Sequence, residues 1–232
     1  SSVSRHTFNV LIYQSLVMKK RILLPTDFSK NAWNAIKYAS ELYATENVDF
    51  FILNAFKLES YDIESILVAK PGDKEYDRAL EKSEKYLRKV LKMIEIKKAY
   101  PNHTYFSMSI FDTPLDAIKA AVELKDIDLV VMGTKGATDA KSVIYGSNTI
   151  DVMEKVRNCP VLAIPNIVNY TEPKEIVFPT SFKTHFKRRE LKHLYEIAKI
   201  TNSAVRILHI NTEKHLTDLQ KQNKDMLEEF LD

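Results

Sequence analysis

Gly133, Gly136 and Gly146 are three of only four glycines in 232 residues, and all three fall in one stretch, Gly-Thr-Lys-Gly-Ala-Thr-Asp-Ala-Lys-Ser-Val-Ile-Tyr-Gly-Ser-Asn over 133–148. Glycine lets backbone N–H groups turn toward a ligand with no Cβ in the way. A helix start adds unpaired N–H groups and a partial positive charge. Phosphate is the natural occupant of such a loop. A plainer origin stands beside this one: a loop between a strand and a helix needs glycine for tight turns, and Ser147 suits a helix N-cap. A second polar turn, Pro25-Thr26-Asp27-Phe28-Ser29, follows the first apolar run of the chain.

The elements around the loop decide what it can do. Asp128-Leu-Val-Val-Met132 is short, apolar and β-branched, which predicts a buried strand, and 147–156 reads as a helix. Arg21-Ile-Leu-Leu-Pro25 is the first strand. A helix over 29–44 follows, with Ala32, Ala35, Ile36, Ala39, Leu42 and Tyr43 on one face. The second strand is expected at 48–55. A long helix carries Tyr76, Ala79, Leu80, Leu87, Val90, Leu91 and Ile94 on its apolar side and ends before Pro101. At 104–111 Phe106, Met108 and Ile110 alternate with polar residues as a third strand. Asp112-Thr-Pro114 opens the next helix, which runs to about 125, with Asp112 as a cap candidate. Val161-Leu-Ala-Ile164, between two prolines, reads as a fifth strand at a sheet edge. Strands alternating with helices predict an α/β fold, a five-stranded parallel sheet covered by helices on both faces. In such sheets ligands sit at the carboxyl ends of the strands. The Thr26 turn and the glycine loop both lie there, so one crevice serves both.

Past Pro165 the chain begins again. Glu175-Ile-Val-Phe-Pro-Thr-Ser-Phe182 parallels Arg21-Ile-Leu-Leu-Pro-Thr-Asp-Phe28, and His209-Ile210 falls where Asn54-Ala55 fell. The expectation is a partial βαβα second repeat, with no glycine loop. The domain reading is an added or disordered extension over 1–17, a complete domain over 18–167, a linker over 168–173 and a truncated repeat over 174–232. Two strands and two helices bury too little to stand alone, so the second part is expected to lean on the first domain, on another chain or on residues beyond Asp232.

Composition excludes several classes. Hydrophobic residues make up 45% and charged residues 28%, as in ordinary globular proteins, and a net charge of +3 is too small to argue for nucleic acid. The single cysteine, Cys159, rules out an internal disulfide framework and suits a reducing compartment, so the cytoplasm is expected. No apolar run is long enough to predict a transmembrane helix.

With these elements in hand the chain resembles the universal stress protein family in its tandem form. The spacing Gly-x2-Gly-x9-Gly-Ser at Gly133, Gly136, Gly146 and Ser147, with Pro25-Thr26-Asp27 after the first strand, carries the resemblance. It implies an adenine nucleotide α-hydrolase-like, Rossmann-like fold that binds ATP, with Mg or Mn held through the phosphates. It implies that Pro25, Thr26 and Asp27 line the adenine and ribose end, with Ala55 against the base and Met132 and Gly133 beneath the ribose. Gly136, Ala137 and Thr138 would turn their backbone to the phosphates, and Gly146, Ser147, Asn148 and Thr149 would complete the cradle. Ala55 is smaller than the family's usual valine-like residue and Asn148 replaces an apolar one, which implies a looser base pocket. The implied function is stress response through nucleotide-dependent association, with a homodimer formed through Val161–Ile164 or the second repeat.

The alternative is a stress-response interaction module that binds no nucleotide and keeps the loop only as a turn. A dedicated enzyme is not indicated, since the first turn lacks a glycine-rich phosphate loop and Lys141 lacks the preceding glycine of a Walker motif; slow ATP hydrolysis stays open. Asp27 and Asp112 sit at helix starts, where capping is the expected role. Lys183, Lys187, Arg188, Arg189 and Lys192 read as a solvated helix face. His209 is expected to be a satisfied strand-end histidine, Trp33 partly exposed and Cys159 buried.

Overall fold

The structure, a computed structural model, describes residues 19–58, 70–97, 100–134, 146–210 and 215–231. The chain forms two compact units, one up to Tyr170 and one from Thr171.

The first unit runs β1 (Lys20–Pro25), α1 (Lys30–Leu42), β2 (Val48–Phe56), α2 (Lys74–Lys97), β3 (His103–Phe111), α3 (Pro114–Leu124), β4 (Leu129–Gly133), α4 (Ser147–Lys155) and β5 (Val161–Ile164). All its strands are parallel, in the order β3-β2-β1-β4-β5. The expected five-stranded sheet is present, with β5 at one edge. The chain winds outward through β2 and β3, then returns to the other side of β1, so β1 and β4 flank the point where the winding reverses.

Each face of the sheet is covered. Leu23, Phe51, Leu53, Val130 and Met132 pack with Ala117, Ile118, Ala121 and Val122 of α3 and Val152 of α4. On the opposite face α1 contacts β1, β4 and β5, and α2 contacts β2 and β3. Ile22, Leu24, Phe50 and Ile52 are fully buried in the sheet's centre. Each such side chain contributes about 1.5–3 kcal/mol by leaving water. At the β3 edge the alternation read from the sequence holds only in part. Met108 and Ile110 pack on the α3 side, but Phe106 is 43% exposed and stacks on Phe51 at 5.1 Å.

Two helix caps differ from expectation. Ser29, not Asp27, caps α1, its side chain accepting from the Ala32 N–H at 3.2 Å. Thr113, not Asp112, caps α3 by accepting from the Asp116 N–H at 3.2 Å, with Pro114 in the first turn. Each aspartate instead braces the residue just outside the helix: Asp27 accepts from the Ser29 N–H at 3.0 Å and Asp112 from the Thr113 N–H at 2.6 Å. A serine or threonine nearer the first turn reaches its amides with less distortion.

The second unit comprises β6 (Glu175–Pro179), α5 (Arg188–Thr201), β7 (Ala204–Leu208) and α6 (Asp218–Leu231), with β6 and β7 parallel. Its small core gathers Phe182, Leu191 and Leu227, with Phe178 and Ile207 packed against them. The turn after β6 reproduces the turn after β1 bond for bond. Thr26 N–H donates to Leu53 O at 2.8 Å, and Thr180 N–H donates to Leu208 O at 2.9 Å. The Phe28 and Phe182 N–H groups each donate to the threonine hydroxyl two residues back, at 3.0 Å. Both phenylalanines are left-handed, with φ of 64° and 56°. Asn54 Nδ2 donates to Thr26 O, and His209 Nδ1 donates to Thr180 O, both at 2.8 Å. His209 is therefore the satisfied strand-end histidine that the sequence led us to expect.

Candidate nucleotide site of the first unit

β1 and β2 stay in register to the end, with Pro25 opposite Leu53. The β1–β4 register, in contrast, covers only Ile22–Leu129 and Leu23–Val130. Pro25 has no N–H to extend a ladder. The carboxyl ends of β1 and β4 thus part, and a cavity of about 330 Å³ opens between them. Pro25, Thr26 and Asp27 line it from β1, Ala55 from β2, Met132 and Gly133 from β4, and Gly146, Ser147, Asn148 and Thr149 from the start of α4. These are ten of the thirteen residues the sequence singles out. The other three, Gly136, Ala137 and Thr138, lie outside the described residues.

The Thr26 turn is tightly held. A bulky residue at positive φ is uncommon, and the left-handed conformation costs on the order of 1–2 kcal/mol. At Phe28 that cost is offset by the bond from its own N–H to Thr26 Oγ1 and by the Tyr86 ring 5.1 Å away. Behind the turn a buried relay runs from Ser109 through Ser83 to Asn54. Ser83 Oγ donates to Asn54 Oδ1 at 2.7 Å and lies 2.8 Å from Ser109 Oγ. Asn54 and Ser83 are 7% and 3% exposed, so both their bonds count at interior strength.

At the other wall, a Cβ placed on Gly133 would lie 3.1 Å from the backbone C and O of Asn31. Glycine here lets β4 approach the first turn of α1; the requirement is packing, whatever the cavity holds. Thr149 donates its hydroxyl to Gly133 O at 3.0 Å and its N–H to Gly146 O at 3.1 Å. It pins the end of β4 to α4 and keeps no donor in reserve. Gly146 N–H donates to Thr134 O at 2.6 Å, and its φ of −71° is open to any residue. No side chain caps α4. Its first amides open on the cavity beside the exposed Ser147 and Asn148.

Asp27 is the one titratable group on this lining, and no cationic side chain among the described residues shares it. Burial pushes the Cys159 thiol up to about 12, which makes it an inert packing residue, as its position before β5 suggested. Burial also lowers the His103 pKa, against the opposing bond it donates from Nε2 to Tyr43 O at 2.9 Å. Among the described residues no three His, Cys, Asp or Glu side chains gather as a metal site, and no helix is long and apolar enough to cross a membrane.

Five lining residues were not singled out from the sequence: Ala32, Leu53, Asn54, Pro114 and Ile118. Asn54 carried a signal, a lone amide in the apolar run Phe-Phe-Ile-Leu-Asn-Ala. Pro114 and Ile118 carried none, because only the crossover of α3 over the sheet brings them to the cavity.

The model of the Universal stress protein family matches residues 18–165. The chain belongs to the universal stress protein family. Universal stress protein MJ0577 of Methanocaldococcus jannaschii is 31% identical over 159 residues, spanning 64% of this chain and 96% of that protein. Universal stress protein MJ0531 of the same organism is 29% identical over 168 residues, 68% of this chain and 89% of that one. The solved structure of MJ0577 superposes with a TM-score of 0.52 at 25% identity, covering 64% and 97% of the two chains. A universal stress protein from Archaeoglobus fulgidus gives 0.64 at 21% identity and covers 91% of this chain and 73% of that one. The last is a likeness of fold. It extends over more of the chain than the universal stress protein match, which stops at residue 165.

Proposed function

We propose that this universal stress protein binds ATP in the cavity between β1 and β4 and acts in stress response by nucleotide-dependent association. The observation that carries the reading is the uncapped start of α4 facing the Thr26–Asp27 turn across a cavity of about 330 Å³. That volume lies within the range of about 300–1,000 Å³ usual for small-molecule sites. In this reading Leu53 and Ala55 bracket the base, Met132 and Gly133 lie beneath the ribose, and Asp27 accepts from the ribose hydroxyls. The amides of Ser147 and Asn148, with the Ser147 hydroxyl, take phosphate oxygens. By the family resemblance, Gly136, Ala137 and Thr138 would join the same cradle. With no cation on the described lining, Mg or Mn bound to the phosphate oxygens would neutralise the charge the helix dipole leaves. Among the described residues the lining offers no carboxylate besides Asp27 at the ribose end, so water and phosphate would supply the metal's ligands. The protein would work in the cytoplasm. Thr149, whose hydroxyl is already spent on Gly133 O, positions the cradle.

The residues from 174 onward form, in this proposal, a partial second copy, supported by the matched turns at Thr26 and Thr180. Association would run through edge strand β5 or through this second unit. Calorimetric titration of MgATP into the intact chain and a Gly146→Val variant tests the reading. Binding in the micromolar range, lost in the variant, is expected; no binding by the intact chain leaves the interaction module that keeps the loop as a turn.

A further inference from the structure

The two edges of the first sheet differ in how they are guarded. β5 has four residues and lies between Pro160 and Pro165, which offer no N–H to a neighbour. β3 has nine, His103-Thr-Tyr-Phe-Ser-Met-Ser-Ile-Phe111, with no proline and no Lys, Arg, Asp or Glu. Long uncharged edges template strand pairing, and proteins ordinarily blunt them with charges, prolines or bulges. We infer that β3 pairs antiparallel with β3 of a second copy of this chain, about a two-fold axis at Ser107. The inference does not depend on the proposed nucleotide binding, and the interface is a different one from β5 and the second unit.

The backbone is poised for it. Val48 N–H donates to Asn102 O at 3.1 Å, and the β2–β3 register then runs unbroken from Val48–His103 to Phe56–Phe111. Bonded residues alternate in a parallel ladder, so Thr104, Phe106, Met108 and Ile110 bond to β2. Tyr105, Ser107 and Ser109 therefore turn their N–H and C=O groups outward. Among the described residues no strand lies on that side. Phe106 and Ser107, at the middle of the strand, are both exposed.

The side chains favour a second copy as the occupant, because the segment is complementary to itself. With Ser107 on the axis, Tyr105, Ser107 and Ser109 meet Ser109, Ser107 and Tyr105 of the second copy as three hydrogen-bonded pairs. Phe106 meets Met108 of the second copy on the face that carries Phe51, and no like charges are opposed. Phe106 is 43% exposed and borders, with Met108 and the 70% exposed Leu124, a groove of about 440 Å³. The pairing sets the Phe106 and Met108 side chains of both copies against each other along that groove. An isologous contact of this kind closes at two chains.

Sedimentation equilibrium of the intact chain without nucleotide, over a concentration series, should show a reversible dimer. Ser107→Pro removes both bonds of the central pair and none to β2, so it should weaken the dimer about tenfold or more. Cross-linking tests the register. Cys159, the chain's one cysteine, is buried, so Ser107→Cys adds a thiol that stands alone at the surface. In the paired strands the two Cα atoms of residue 107 lie about 5.5 Å apart, within the span of a disulfide, and those of residue 104 about 20 Å apart. Oxidation by copper phenanthroline should therefore cross-link the Ser107→Cys chain and not the Thr104→Cys chain. Circular dichroism checks that each variant is folded, and Ser107→Cys, a change of one atom, decides the matter if Ser107→Pro is not. A chain that stays monomeric up to its solubility limit, a dimer that Ser107→Pro leaves unchanged, or equal cross-linking at both positions would each overturn the inference.

Discussion

The turns after β1 and β6 share their backbone bonds, their left-handed phenylalanines and their strand-end side-chain donors, yet their surroundings differ. The first stands beside the parting ends of β1 and β4 and the start of α4; the second belongs to a two-stranded sheet sealed by Gln220 and Asn223. A short Pro-Thr-x-Phe segment is enough to build the turn. A cavity needs β4 and α4, elements far away in the chain. The same contrast appears on the α3 side of the sheet. Leu23 and Leu53 are 0% and 1% exposed there, while Val177 and Leu208, at the corresponding positions, are 56% and 47% exposed.

The largest effect should come from breaking this contrast at matched positions. Leu53→Ala removes a buried side chain beneath α3 and should cost about 2–5 kcal/mol, whereas Leu208→Ala should cost under about 1 kcal/mol. Trp33 is the chain's single tryptophan and lies in the first unit, so its fluorescence during urea unfolding reports that unit, while far-ultraviolet circular dichroism follows both. Next, Gly133→Ala should destabilise the first unit by about 1–3 kcal/mol, because its Cβ meets the backbone of Asn31 and not a flexible side chain. Asn54→Ala strands Thr26 O and removes one of the Ser83 hydroxyl's two partners, and should cost about 1–3 kcal/mol. His209→Ala, which removes one partner from a less buried carbonyl, should cost less.

Much of the fold is legible in the residues themselves. Apolar β-branched runs marked each strand, and the order of strands and helices implied the parallel sheet. The turn after β6 was legible because the residue types of the first turn recur in the same order. Caps were less so, since Asp27 and Ser29, or Asp112 and Thr113, are all good cap formers and only backbone geometry chooses between them. Gly133 shows a different limit. A glycine that spares a ligand and one that spares a neighbouring helix look alike until Asn31 is placed beside it. Ile118 was invisible as a cavity wall because its periodicity reports only that it is buried.

A smaller effect sharpens the contrast at the other end of the first sheet. His103 bridges β3 to the end of α1 through Tyr43 O, with its pKa held below the usual value mainly by burial. Since the unfolded chain binds that proton more readily, stability of the first unit should be full above the ordinary histidine value of about 6.5 and decline as pH falls below it. A His103→Gln variant should flatten that part of the Trp33 unfolding profile.

The most direct test of the central claim is the number of nucleotides bound per chain, measured by equilibrium dialysis with labelled MgATP on the intact protein and on the matched variants Asp27→Ala and Ser181→Ala. The account predicts one nucleotide per chain, weakened about tenfold or more by Asp27→Ala and unchanged by Ser181→Ala. Two nucleotides per chain, or binding that responds to Ser181→Ala and not to Asp27→Ala, would contradict it.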